Sequence, residues 1–187
     1  MAHEDRTAQA LTALPNEEWT VFRAPRLPAG GCPGVDHVVV GPSGVFVIDS
    51  QRWTGAVQVR RDVLRRRGRL RKKALGGATP AALAVADLLD EPRQHLVRPV
   101  VCIARDEPIM GWGRWVMVCS SGSLVSMLLT QATVLSEDER AALCADLALR
   151  FRAAAVAPGT RPPRRGGHRA LSADPPSPAG RLVRLLG

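Results

Sequence analysis

The apolar positions of this chain change period from one stretch to the next, and each change predicts an element. From Glu4 to Leu14 the residues Ala8, Leu11 and Leu14 recur at helical spacing, and Pro15 ends the helix. Trp19 to Phe22 reads as a short strand and Ala24 to Gly34 as a Pro/Gly-rich loop. Two β-branched runs, Val35 to Val40 and Val45 to Gln51, then flank Gly41-Pro42-Ser43-Gly44. They predict a hairpin with a tight Pro-Ser loop. Ala56 to Val59 and Val63 to Arg66 predict a second, shorter hairpin turning near Arg61-Asp62. Pro80 to Leu89 is rich in Ala and Leu and predicts a helix with Pro80 in its first turn. Val97 to Ile103 and Trp115 to Cys119 are near-continuous apolar strands, which implies a sheet covered on both faces. Ser123 to Leu129 predicts a short helix. Ser136 and Glu139 form a capping box that opens a last helix to about Ala153, with Ala142, Leu143, Leu147 and Phe151 on one side.

This succession predicts an α/β domain whose mixed central sheet is flanked by helices. From Ala157 onward the composition shifts to Pro, Gly, Ser and Arg, which cannot build a core. The expected organisation is one domain over residues 1–155 and a disordered Pro/Arg-rich tail over residues 156–187. The final Arg181-Leu182-Val183-Arg184-Leu185-Leu186 is amphipathic but short, and reads as a frayed end.

The polar positions of the central hairpin carry the candidate chemistry. If Gly41 and Gly44 close its loop, Asp36 lies opposite Asp49. Alternation then places Val38, Val40, Val45, Val47 and Gln51 on the face of those two aspartates. Opposed carboxylates at the end of an apolar hairpin are destabilising unless a cation lies between them. A metal site answers that pattern. So does a pair of aspartates that mark where each strand reaches solvent, and spacing alone does not separate the two.

Composition narrows the field. The chain has 187 residues, enough for one ordinary domain plus extensions, and a formal net charge of +9. That charge favours polyanionic partners. Arg60, Arg61, Arg65, Arg66, Arg67, Arg69, Arg71, Lys72 and Lys73 crowd one segment, opposed by Asp62 alone. Arginine forks suit phosphate oxygens, so this run is the candidate nucleic-acid contact, although a run of cations is also an ordinary solvated face. No recognition-helix or zinc-finger signature predicts sequence-specific readout. No apolar run approaches a membrane span and Met1-Ala2-His3-Glu4-Asp5 lacks the regions of a signal peptide, so the expectation is a cytoplasmic protein without a membrane partner. Cys32, Cys102, Cys119 and Cys144 are scattered. Cys102 and Cys119 fall in apolar runs and read as buried thiols. Of the four tryptophans, Trp53 and Trp115 adjoin strands, and Trp112 between two glycines reads as a loop residue able to stack a base. His37 alternates away from the aspartates and faces the sheet.

Leu14-Pro15, Trp19-Thr20-Val21, the hairpin from Val35 to Ser50 and Trp53-Thr54-Gly55 together resemble the NERD, or nuclease-related, domain. The likeness is dense from about Glu4 to Gly55 and looser to about residue 153. It implies a restriction-endonuclease-like fold whose acidic site binds Mg²⁺ and hydrolyses DNA. By resemblance, Asp36 matches the first metal-binding aspartate, Asp49 the acidic residue of the second motif and Glu4 the helix glutamate. The backbone carbonyl of Ser50 is a further possible ligand. The family's lysine position is Gln51, which positions water by hydrogen bonds but brings no charge. Lys72 or Lys73 is a candidate to supply that charge from elsewhere, and Arg52 replaces the usual Asn before Trp53. The expected function is Mg²⁺-dependent nuclease-like action on DNA, weakened by Gln51. The alternative is a non-catalytic nucleic-acid-binding or protein-interaction module of the same fold.

Overall fold

The computed structural model of the chain describes residues 4–27 and 35–156, and side chains from Arg6 onward. The predicted tail, Cys32 and the end of the loop after Ala24 lie outside the described residues. The elements are α1 (Glu4–Leu11), β1 (Thr20–Arg23), β2 (His37–Gly41), β3 (Gly44–Gln51), β4 (Val57–Arg60), β5 (Val63–Arg66), β6 (Arg69–Leu70), α2 (Lys72–Ala86), α3 (Glu91–Gln94), β7 (Val97–Ile103), β8 (Met110–Gly113), β9 (Val116–Ser120), α4 (Ser121–Leu129) and α5 (Glu137–Val156).

Six strands form one mixed sheet in the order β1-β2-β3-β7-β9-β8. The first three are antiparallel, β3, β7 and β9 run parallel, and β8 returns antiparallel on β9. Period-2 alternation divides the sheet between two helical layers. Val38, Val40, Val45 and Val47 pack with Ala82 and Val85 of α2 and Leu143, Leu147 and Phe151 of α5. Val39, Phe46, Ile48, Cys102, Met117 and Cys119 face the other way, against Leu11 of α1 and Leu124 and Leu128 of α4. Both faces are buried, as the continuous apolar runs require. The fold is thus the predicted α/β arrangement of a mixed sheet flanked by helices.

The central hairpin has the predicted register, with Gly41 opposite Gly44 and His37 opposite Ile48. Its glycines have separate reasons. Gly44 has φ +123°, a conformation that L side chains rarely adopt. A Cβ on Gly41 would meet the Trp19 ring at 2.3 Å, so the ring packs directly on the backbone. The capping box is present as well: Ser136 Oγ accepts the Glu139 N–H at 3.3 Å, and Glu139 Oε2 accepts the Ser136 N–H at 2.8 Å.

Several elements differ from the sequence expectation. Helix α2 begins at Lys72, and Pro80 lies inside it. Proline leaves the Gly76 carbonyl without its helical donor, yet burial of Ala78, Ala81, Ala82 and Val85 keeps the helix going. Gly76 and Gly77, ordinarily breakers, face open space. Helix α5 runs on to Val156, and Ala142 is exposed rather than on its buried side. Trp112 lies on the edge strand β8, not on a loop. Among the described residues, no helix is long and apolar enough to cross a membrane.

Candidate nuclease site

The end of β3 turns its polar residues toward α2. Alternation carries Val45 and Val47 into the core beneath α2, so Asp49 and Gln51 come out on that same face, where the strand passes the helix's first turns. Between them lies a cavity of about 420 Å³, walled by Asp49, Gln51, Trp53, Arg71 and Lys73, with Val47 and Ala78 among its apolar lining. Gln51 Nε2 donates to Asp49 Oδ2 at 2.8 Å. Burial pushes the Asp49 carboxyl above the ordinary aspartate range. The Gln51 hydrogen bond works against that shift, and the negative charge of Asp36 adds to it.

Asp36 reaches this region differently. The regular ladder ends at His37, and Val35 turns toward the cavity. The Asp36 carboxylate accepts the Ser50 N–H at 2.7 Å, while its carbonyl accepts the Ala24 N–H at 2.7 Å. Alternation therefore does not extend to Asp36, although its charge is felt at Asp49. Glu4 is the first residue of α1, and its side chain is outside the described residues. One turn further along, Thr7 is buried and its Oγ1 donates to Cys102 Sγ at 3.6 Å. Cys102 and Cys119 are fully buried neighbours on β7 and β9, as expected. Among the described residues, no group of three or more His, Cys, Asp or Glu side chains is placed to hold a metal ion.

A raised aspartate pKa is a statement about stability. The folded state holds the Asp49 proton more tightly than the unfolded chain, whose value lies near 3.8. The stabilising contribution is therefore present at low pH and is lost as pH rises through the raised folded value. At neutral pH an ionised Asp49 works against the metal-free fold. Asp49→Asn keeps the shape and still accepts from Gln51. Its melting temperature at pH 7 without metal should equal or exceed that of the wild type, and any advantage should shrink at pH 4. A clear loss of melting temperature at pH 7 would assign Asp49 a structural role instead.

The cationic wall comes from the start of α2. Lys73 lines the cavity, and the Arg71 guanidinium stacks over Trp53 at 5.9 Å from the ring centroid. Arg71 Nε is buried with no hydrogen-bond partner. Arg71, Lys72 and Lys73 stand where the helix dipole already presents positive charge, with no acidic residue in the first turn and no side-chain cap. An anion there would relieve the repulsion.

The Trp53-Thr54-Gly55 segment holds this wall in place. Trp53 is half-buried with Leu64, Leu75 and Val118. Gly55 has φ +84°, and a Cβ there would meet Arg67 Nε at 2.6 Å. Arg66 donates to the Thr54 carbonyl at 3.1 Å and Arg105 to the Gly55 carbonyl at 3.0 Å. So Arg66 is engaged within the fold. Arg60, Arg61, Arg65, Arg67 and Arg69 are exposed on the small β4-β5-β6 sheet, Arg65 donating to the Gly68 carbonyl at 2.9 Å, and Lys72 and Lys73 are exposed on α2. Arg52 is exposed. The stacking of Arg71 on Trp53 has no period or spacing that would announce it in the sequence.

No curated protein and no solved structure matches the chain at a significant level. The sequence profile of the nuclease-related domain matches residues 1–104, a span that takes in α1, the hairpin, the small sheet, α2 and β7. That is more than half of the chain, and it includes every wall of the cavity around Asp49. The protein belongs to the NERD, or nuclease-related domain, family.

Proposed function

We propose that this protein is a Mg²⁺-dependent nuclease acting on DNA phosphodiester bonds, with its charge-supplying lysine on α2 rather than on β3. The observation that carries the reading is that Asp49, Gln51 and Lys73 wall one cavity. The donor chemistry fits Mg²⁺. Asp49, on the cavity wall, and Asp36, bonded to the neighbouring Ser50 N–H, offer hard carboxylate oxygens, and Mg²⁺ is commonly held by one or two carboxylates, with waters and substrate phosphates completing its shell. The Ser50 carbonyl is the proposed further ligand. Such an ion, when bound, polarises the phosphate and acidifies its water.

The chain's own residues do the rest. Asp49 would hold the ion, and Gln51, its hydrogen-bond partner at 2.8 Å, would orient the attacking water through its amide. Lys73 brings the full positive charge that Gln51 lacks to the developing negative charge at phosphorus. Arg71, held on Trp53, offers its positive charge to a neighbouring phosphate. Incubating purified protein with plasmid and with single-stranded DNA, with Mg²⁺ or Mn²⁺, tests the reading. Cleavage that requires the metal and disappears in Asp49→Asn supports it. A second reading, nucleic-acid binding without turnover, is favoured by the Asp36 oxygen already bonded to the Ser50 N–H. It predicts binding and no cleavage with either ion.

The exposed arginines of the small sheet are proposed to hold the backbone. Replacing Arg60, Arg65 and Arg67 with glutamine should weaken affinity similarly for unrelated duplexes. The slope of log affinity against log salt should flatten by about 0.9 for each phosphate that is no longer neutralised. Fluorescence anisotropy across a salt series checks this, and an unchanged slope would return these residues to a solvated face.

A further inference from the structure

On the other side of the first turns of α2 lies a second concavity, of about 250 Å³. Its walls are Leu64, Leu70, Leu75, Val116 and the Trp115 ring, with Lys72 and Arg114 at its rim. Leu70 is 47% exposed and Trp115 45%, so two large apolar surfaces stand open to solvent at its mouth. Arg61 and Arg69 adjoin lining residues in the chain, and Asp62 is the one carboxylate. Arg114 occupies its hairpin tip at φ +59° and Arg61 occupies another at +47°, conformations that glycine or asparagine adopts more easily. Both tips accept that conformation and carry a cation.

An apolar slot with a half-exposed tryptophan, flanked by Lys72 and Arg114, suits a planar apolar ring joined to a polyanion. We propose that this slot takes an unpaired base of single-stranded nucleic acid, stacked on Trp115, with the flanking phosphates on Lys72 and Arg114. The inference rests on nucleic acid as the partner of the Asp49 site. A duplex keeps its bases stacked on one another and offers none to the slot, whereas every base of a single strand has a free face. The volume lies just below the ~300–1,000 Å³ of drug-sized pockets and accommodates one ring system rather than a folded ligand. Helix α2 is the shared wall. Lys73, Ala74 and Gly77 face the cavity around Asp49, whereas Lys72, Leu75 and Gly76 face the slot. A helix is about 10 Å across, so a strand crossing its N-terminus spans both places within a few nucleotides.

The test is binding of fluorescein-labelled oligo-dT and of a mixed-sequence duplex of equal length, with a chelator present so that turnover plays no part. Trp115→Ala should weaken oligo-dT binding about 5- to 150-fold, the range that truncating one stacked aromatic gives. Duplex affinity should stay within about twofold, and Trp115→Phe should restore most of the loss. Unchanged oligo-dT affinity, or an equal loss on both probes, overturns the slot and leaves the Asp49 site standing. Failure of the wild type to bind either probe overturns both. Trp115 is exposed, and a matching melting temperature for the variant excludes a folding effect.

Discussion

Changing Lys73 to methionine should lower metal-dependent DNA cleavage by about 10²–10³-fold, the usual consequence of removing one preorganised charge beside the reacting group. Methionine keeps most of the length of the side chain, and Lys73 is exposed, so the fold should not suffer. DNA affinity in the presence of chelator should change only a few-fold, because many other cations share the backbone. On the proposed reading Asp49→Asn should be at least as damaging, because Asp49 would be the ion's anionic ligand on the cavity wall. The combination Lys73→Met with Gln51→Lys should recover part of the rate, since it returns the charge to β3 on the same cavity wall. Initial rates on supercoiled plasmid measure all four proteins. A Lys73→Met variant with wild-type rate would show that the charge comes from elsewhere.

The largest effect on stability should come from Phe46→Ala. Phe46 is fully buried on β3, its ring centroid 6.1 Å from that of Trp19, and the Arg98 guanidinium lies 5.9 Å from its centroid. Truncating a buried phenylalanine costs about 3–5 kcal/mol. For a domain of this size each kcal/mol lowers the melting temperature by roughly 2–4 °C, so a drop of about 6–20 °C is expected. The guanidinium, already less basic because it is buried, would also lose its aromatic face. Thermal denaturation followed by circular dichroism measures this directly. A drop below about 3 °C would mean that Trp19 and Arg98 refill the space.

What was legible in the sequence is what depends on local chemistry. Gly41 and Gly44 dictate the loop, the loop dictates the register, and the register puts Asp49 and Gln51 on the face that meets α2. The same alternation did not reach Asp36, because the chain bends before β2 and the carboxylate turns to the Ser50 N–H. Strand β8 was hidden for a different reason. Its alternate positions are Gly111 and Gly113, so no apolar alternation is visible. A Cβ would meet Val59 at 2.9 Å at Gly111 and Leu75 at 2.8 Å at Gly113, so both side chains pack directly on the glycine backbone. The start of α2 was hidden too, since Gly76, Gly77 and Pro80 are the residues that ordinarily end helices. Tertiary burial overrode them. The cavity around Asp49 depends on that overriding, which brings Lys73 and Arg71 up to the end of β3.

The position of α2 has a mechanical consequence. Downstream of Pro80 the helix is anchored by Ala81, Ala82, Val85 and Ala86 in the core. Upstream, the helix lacks the Pro80 N–H and carries two glycines facing open space, yet Ala74 and Leu75 pack against Leu64, Ile103 and Val118 and hold the short arm bearing Lys72 and Lys73 in place. The arm is thus a party wall: Lys73 and Ala74 belong to the space over Asp49, Lys72 and Leu75 to the space beside Trp115, so a substitution that displaces it alters both at once.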